Sequence, residues 1–294
     1  MKRYLLFGAL LLLPIAACAE VMNTLESMTD ENTAEGKIIR GANRLRKSFQ
    51  DLDPSEEHFI GRSVAAQILA MPTYQLADDP AATKYLNRIG QALVATNDGV
   101  RRTFADYRFA LLDTTEVNAF ACPGGLILVS RGLLQKTASE DEVAAVLAHE
   151  IAHVSHKHGL SAIQKGNLME AFRYLGTGAA QAALSAEDMQ KLTGLFDSSV
   201  NDVVRTLVTS GYSRDAEAEA DGSGREFLAN AGYDPQALSR VLQKMNDVGG
   251  DGGMFATHPA PQDRIASLGT PLPFDGSPVA AETRLQRYRQ NLKL

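Results

Sequence analysis

The chain has 294 residues, a formal net charge of −6 and 45% hydrophobic residues, which suits one fair-sized globular domain or one domain with appendages. The mildly acidic balance, with no basic stripe interleaved with aromatics, argues against nucleic acid as the main partner. Two cysteines, Cys18 and Cys122, exclude a disulfide framework, so the core depends on packing and on any metal the chain binds.

At the N-terminus, Lys2 and Arg3 precede an apolar run from Leu5 to Leu13, and small residues follow at Ala16 and Ala17. That order reads as a secretory signal peptide, and the run is too short for a transmembrane helix. Ile15-Ala16-Ala17-Cys18 resembles a bacterial lipobox, with Ile15 where Leu is preferred. Two outcomes fit: acylation of Cys18 as the mature N-terminus, or ordinary cleavage after Ala19. We favour acylation, because a cysteine stands where the lipobox needs it. Ala19 after Cys18 suits sorting to the outer membrane, by resemblance to bacterial lipoproteins. Residues 1–18 are therefore assigned to the leader and 19–52 to a tether and lead-in helix.

Asp53-Pro54-Ser55-Glu56 predicts a helix to about Ala70, and Asp79-Pro80 opens another. Tyr107–Leu112 and Leu126–Val129 read as strands, with Val117–Ala121 extended between them and Gly124-Gly125 as a turn. From Leu160 to about Val208 the sequence is helical, and its small residues around Gly176–Ala183 pack in the core or cover the site. Tyr212–Asn230 and Asp234 to about Met245 are further helices, and Gly249–Gly253 is a flexible loop. From Thr270 the chain is Pro-rich, then basic, and is expected to wrap the surface. The main domain is set at 53–270 and the tail at 271–294. No repeat is visible.

His149-Glu150-Ile151-Ala152-His153 is the most informative stretch. Two imidazoles four residues apart on a helix share a face and can reach one metal. Glu150 lies close enough to hold a water on that metal and take its proton. Ser139 with Glu142 predicts a capping box, Val143, Ala144, Val146 and Leu147 supply an apolar face, and the helix is expected to run through Lys157 and stop at Gly159. Burying His149, Glu150 and His153 in so apolar a helix is costly unless something satisfies them.

A catalytic zinc takes three protein ligands and an open position. The metzincin third histidine would fall at Gly159, which excludes that class. His156 reads as a supporting or surface group, and His158 lies on another face. In Ser213–Asp221, Glu217 and Asp221 share one helix face and Asp215 and Glu219 another. Helical geometry alone leaves both pairs open.

The motifs HEIAHVSHKH, NAFACPGG, SRDAEAEAD and THPAPQDRI, in this order over about residues 54 to 268, resemble the zinc metallopeptidases that include the CAAX prenyl proteases, HtpX and the periplasmic BepA and LoiP type (HExxH gluzincins). The resemblance implies Zn²⁺, one per chain, held by His149, His153 and Glu217. It implies Glu150 as the catalytic acid–base, and Asp221 as the carboxylate that orients a ligand histidine. Asn118, Ala119 and Phe120 match an edge strand that templates an extended substrate chain, consistent with main-chain pairing at an open sheet edge. His258 is implied near the metal, as a latent-site switch or transition-state support, with Arg264 organising the site or supporting the transition state. Cys122 reads as a structural thiol.

The expected fold is α+β and mainly helical, a zincin-like domain with a small β-sheet and an exposed edge strand. The expected function is a zinc-dependent metalloendopeptidase of the bacterial cell envelope, acting on unfolded or misassembled envelope polypeptides in the periplasm. A lipid anchor at Cys18 would hold it to the outer membrane. The alternative is a non-hydrolytic periplasmic chaperone or assembly factor with a structural zinc, against which the intact Glu150 argues. A hydrolase of cell-wall material is weaker, because the edge strand has no role in it.

Overall fold

The computed structural model describes residues 52–161, 186–248, 257–258 and 261–292. The leader, Cys18, the tether through Asp51, the Gly176–Ala183 stretch and the Gly249–Gly253 loop lie outside the described residues. Residues 53–294 form one compact unit.

Helix α1 spans Pro54–Leu69 and α2 spans Pro80–Ala95. Each opens with an Asp-Pro pair, since proline's fixed φ suits the first turn and its missing N–H is no loss there. The Asp53 carboxylate accepts the N–H groups of Ser55 and Glu56 at 2.7 and 3.0 Å. The Glu56 carboxylate accepts the Asp53 N–H in return. Asp79 accepts the Ala82 N–H at 3.0 Å.

Strands β1 (Arg108–Leu112), β2 (Ala119–Cys122) and β3 (Leu126–Ser130) form one sheet in the order β1-β3-β2. β1 runs parallel to β3, with Arg108 opposite Leu126. β2 runs antiparallel, with Ala119 opposite Val129, and has a strand neighbour on one side only among the described residues. The extended segment expected from Val117 becomes a regular strand at Ala119. Asn118 precedes it with its side chain and backbone both engaged: its Oδ1 accepts the Ala119 N–H at 2.9 Å, and its N–H donates across to Ser130 Oγ on β3 at 3.0 Å.

After the short helix α3 (Arg131–Leu134) comes α4 (Glu140–Ser155), whose residues are buried from Glu140 to Val154. Each of Val143, Val146, Leu147 and Ile151 is fully enclosed, contributing about 1.5–3 kcal/mol relative to exposure. That burial is what lets a helix carrying His149, Glu150 and His153 sit at the centre of the fold. Ser139 caps it through the Glu142 N–H at 3.3 Å. The reciprocal half of the expected capping box is shifted: the Glu142 carboxylate accepts the Ala138 N–H at 2.7 Å.

The end of α4 differs from expectation. The helix stops at Ser155, and the left-handed residue is Lys157, with φ 58°, while Gly159 lies inside a new short helix, α5 (His158–Ser161). A non-glycine residue there costs about 1–2 kcal/mol. Lys157 is held in place by its Nζ, 2.8 Å from the buried Glu57 carboxylate on α1.

The remaining helices are α6 (Ala186–Arg205), α7 (Arg214–Asn230), α8 (Ala237–Val248), α9 (Pro261–Ser267) and α10 (Pro278–Asn291). α7 packs along α4. It starts two residues later than expected, because Ser213 caps it by accepting the Ala216 N–H at 3.2 Å. The basic tail forms α10, which docks on the start of α4 through Arg284–Asp141 at 2.9 Å and Arg287–Glu140. The architecture is thus mainly helical with a small mixed sheet. No helix among the described residues is long and apolar enough to cross a membrane.

Candidate metal centre

α4 contributes His149, Glu150 and His153; α7 contributes Glu217 and Asp221; His258 precedes α9, which carries Arg264. The Nε2 atoms of His149 and His153 lie 3.0 Å apart. Glu217 Oε1 is 3.3 Å from His153 Nε2, and Oε2 is 3.6 Å from His149 Nε2. His258 Nδ1 is 2.7 Å from Glu217 Oε1. One ligand atom from each of His149, His153, Glu217 and His258 lies within 4.8 Å of the others, and all four residues are buried.

Two glycines permit this convergence. A Cβ at Gly224 would stand 3.3 Å from the His149 backbone nitrogen, so glycine lets α7 approach the backbone of α4 at the histidine. Gly211 has φ 72°, and a Cβ there would meet the Thr257 carbonyl oxygen at 2.4 Å. The next residue, Tyr212, donates its N–H to that same oxygen at 3.0 Å and so tethers the segment carrying His258.

Asp221 Oδ1 sits 2.9 Å from His149 Nδ1, and Arg264 grips both Asp221 oxygens at 2.6 and 2.9 Å. Arg264 Nη1 also pairs with Glu217 Oε2 at 3.1 Å. Burial raises the proton affinity of both carboxylates, yet for Asp221 the Arg264 charge, and for Glu217 the His258 and Arg264 charges, outweigh it and hold them ionised well below the usual range. His153 is pushed down by burial, which keeps it neutral and its lone pair available. Burial opposes charge on His258 too, but the Glu217 carboxylate beside it wins and raises it.

Glu150 is different. It is fully buried, and neither carboxylate oxygen has a hydrogen-bond partner among the described residues. Burial raises its proton affinity, against the opposing charges of His258 and His149. A carboxylate so placed is costly to keep unless a water or substrate completes it.

Asn118, Ala119 and Phe120 are buried, backbone included, so the exposed edge strand expected from the sequence is found as a covered one: β2 ends the sheet, but packing closes it off from solvent. Cys122 ends β2 with its thiol pushed up to about 12, mainly by burial, which makes it unreactive. Of the two carboxylate pairs left open by spacing, the structure turns Glu217 and Asp221 to the histidines and leaves Glu219 half-exposed behind them, against His156 and His158. Sequence reasoning missed Tyr212, whose ring stacks on His153 at 4.0 Å, and His158, whose Nδ1 lies 2.9 Å from His153 Nδ1. The spacing of a helix placed His158 elsewhere, and only the Lys157 turn brings it back.

Two convergent imidazole nitrogens, a carboxylate and an unpaired acid–base beside them form a donor set that fits a divalent metal. Residues 80–272 match the model of peptidase family M48. The beta-barrel assembly-enhancing protease of Yersinia pestis is 30% identical over 269 residues, covering 89% of this chain and 51% of that protein. Metalloprotease LoiP of Escherichia coli (strain K12) is 30% identical over 200 residues, 67% of this chain and 74% of that protein. The mitochondrial metalloendopeptidase OMA1 of Arabidopsis thaliana is 32% identical over 198 residues, 66% of this chain and 37% of that protein. The chain spans about half the length of the first of these relatives. With the match covering the sheet, α4, α7 and α9, the chain belongs to peptidase family M48.

Proposed function

We propose that this protein is a zinc-dependent metalloendopeptidase of the bacterial cell envelope. The observation that carries the reading is the buried Glu150 carboxylate, unpaired among the described residues, beside the cluster of His149, His153 and Glu217. Those three residues would hold Zn²⁺, for which two imidazoles and one carboxylate are a catalytic donor set. When bound, zinc supplies Lewis-acid polarisation of a carbonyl and a lowered pKa for water.

The chain's own residues do the rest. Glu150 takes a proton from the attacking water on a carboxylate oxygen and delivers it to the leaving amine nitrogen. Asp221 accepts the His149 Nδ1–H, which leaves the Nε2 lone pair facing the ligand position, and Arg264 fixes Asp221. The outer side of β2, entered through Asn118, Ala119 and Phe120, would take an extended substrate by strand addition, the substrate displacing the Asn118 Oδ1 contact that now occupies the Ala119 N–H. His258, whose Nδ1 lies 2.7 Å from Glu217 Oε1, would occupy the remaining ligand position and keep the site latent; its nearness to the other three ligand atoms supports this reading.

The substrates we assign are unfolded or misassembled envelope proteins, in line with relatives named for β-barrel assembly and proteolysis. Acylation at Cys18 would tether the enzyme to the outer membrane on its periplasmic side. The test is cleavage of an unfolded polypeptide by the purified protein, with and without a zinc chelator, beside Glu150→Gln. Chelator-sensitive cleavage lost in Glu150→Gln is expected. Envelope function that survives Glu150→Gln would favour a binding protein instead. A zinc-loaded wild type that does not cleave should be released by His258→Ala if the site is latent, and a His258→Ala form with unchanged proteolysis would remove the switch.

A further inference from the structure

His158 has no part in the chemistry above, yet it is buried, with only 7% of its surface exposed. Its Nδ1 lies 2.9 Å from the Nδ1 of His153, and its Nε2 lies 3.1 Å from Glu219 Oε2. One proton arrangement satisfies both contacts if His153 turns its Nε2 lone pair toward a metal. His153 then carries its hydrogen on Nδ1 and donates it to His158 Nδ1. His158 carries its own hydrogen on Nε2 and donates it to Glu219.

The chain builds this placement rather than meeting it by chance. Lys157 adopts φ 58° and reverses the backbone after α4, so that His158 folds back over His153. Lys157 is anchored by Glu57, a carboxylate only 1% exposed on α1, which Arg101 also binds through its two terminal guanidinium nitrogens. A buried carboxylate with two cationic partners and no other evident task thus holds the turn that delivers His158.

The geometry points to His158 as the positioning residue for His153, with Glu219 behind it and the Glu57–Lys157 contact as the anchor that delivers it. This rests on the reading of His149, His153 and Glu217 as metal ligands. The two ligand histidines are then oriented by different means. His149 leans on Asp221, a buried carboxylate locked by Arg264. His153 leans on a neutral imidazole, whose supporting carboxylate, Glu219, has a side chain 55% exposed. The neutral donor chain restricts the ring to the tautomer that binds metal, and its loss leaves a ring free to present the wrong nitrogen.

The test is the Zn²⁺ dissociation constant of the full chain by chelator competition, with the metal-free melting temperature measured alongside. His158→Phe fills the space but removes the acceptor, whereas His158→Asn places an amide oxygen where Nδ1 stood. Zinc binding about 10–100-fold weaker is expected for His158→Phe, with most of the loss recovered in His158→Asn. Equal affinity in all three proteins overturns the proposal, as does equal weakness in the two variants, which would make His158 a packing residue. If His158→Phe does not fold, Glu219→Ala, on a half-exposed side chain, decides: weakened zinc binding supports the relay and unchanged binding overturns it. A wild type that binds no zinc would instead overturn the ligand assignment.

Discussion

The two halves of α4 bury charge in opposite ways. In the first turn, Glu140, Asp141 and Glu142 are all nearly inaccessible, and each meets a partner. Arg287 and the hydroxyls of Tyr85 and Tyr233 reach Glu140. Arg284 and the Asp234 N–H reach Asp141, and Lys244 reaches Glu142 at 2.6 Å. Two turns later Glu150 is equally buried and has no partner among the described residues. The first group also complements the positive end of the helix dipole, which Glu150 does not. Buried carboxylates that are fully paired hold elements together; one left unpaired beside two imidazoles marks chemistry.

The largest effect that should separate the halves is Glu150→Gln. Cleavage should fall by about 10²–10⁴-fold, with the metal-free melting temperature unchanged, because Glu150 has no hydrogen-bond partner to lose among the described residues. Kinetics and calorimetry on the same preparation check this. Next comes Asp141→Ala, which strands the buried Arg284 and should cost about 3–5 kcal/mol in denaturant unfolding, with cleavage per folded molecule retained. Asp221→Asn should weaken zinc binding by about 10–100-fold in chelator competition, since the Nδ1–H of His149 loses its charged acceptor.

The smallest effect concerns Tyr85, whose hydroxyl donates to Glu140 at 3.0 Å. Burial, then the Glu140 charge, raise its folded pKa well above the unfolded value near 10. The folded state therefore keeps this proton when the unfolded state releases it. The resulting stability is present below about pH 10 and is lost as pH rises beyond it. Tyr85→Phe should flatten that alkaline loss in unfolding titrations. An unchanged slope would mean that the cluster on the first turn of α4 is not the tight network drawn here.

Local chemistry made much of the fold legible. Asp53 with Glu56, Asp79 with Pro80, and Ser139 each announced a helix start, because a cap is a contact between near neighbours in the chain. His149, Glu150 and His153 were legible for the same reason, since their geometry is that of one helix. The choice between Glu217–Asp221 and Asp215–Glu219 was not, because both pairs share a helical period and only packing on α4 distinguishes them. The turn at Lys157 was invisible: lysine carries no preference for a left-handed backbone, and the Glu57 carboxylate that holds it lies on another helix. The docking of α10 was hidden likewise, since Arg284 and Arg287 in a basic tail look solvated until Asp141 and Glu140 are known to be buried beneath them.

The most direct test of the contrast along α4 measures cleavage of an unfolded polypeptide and melting temperature together, on zinc-loaded wild type, Glu150→Gln and Asp141→Ala. The account predicts that Glu150→Gln loses cleavage and keeps its melting temperature, while Asp141→Ala does the reverse. A Glu150→Gln protein that cleaves at the wild-type rate would contradict it.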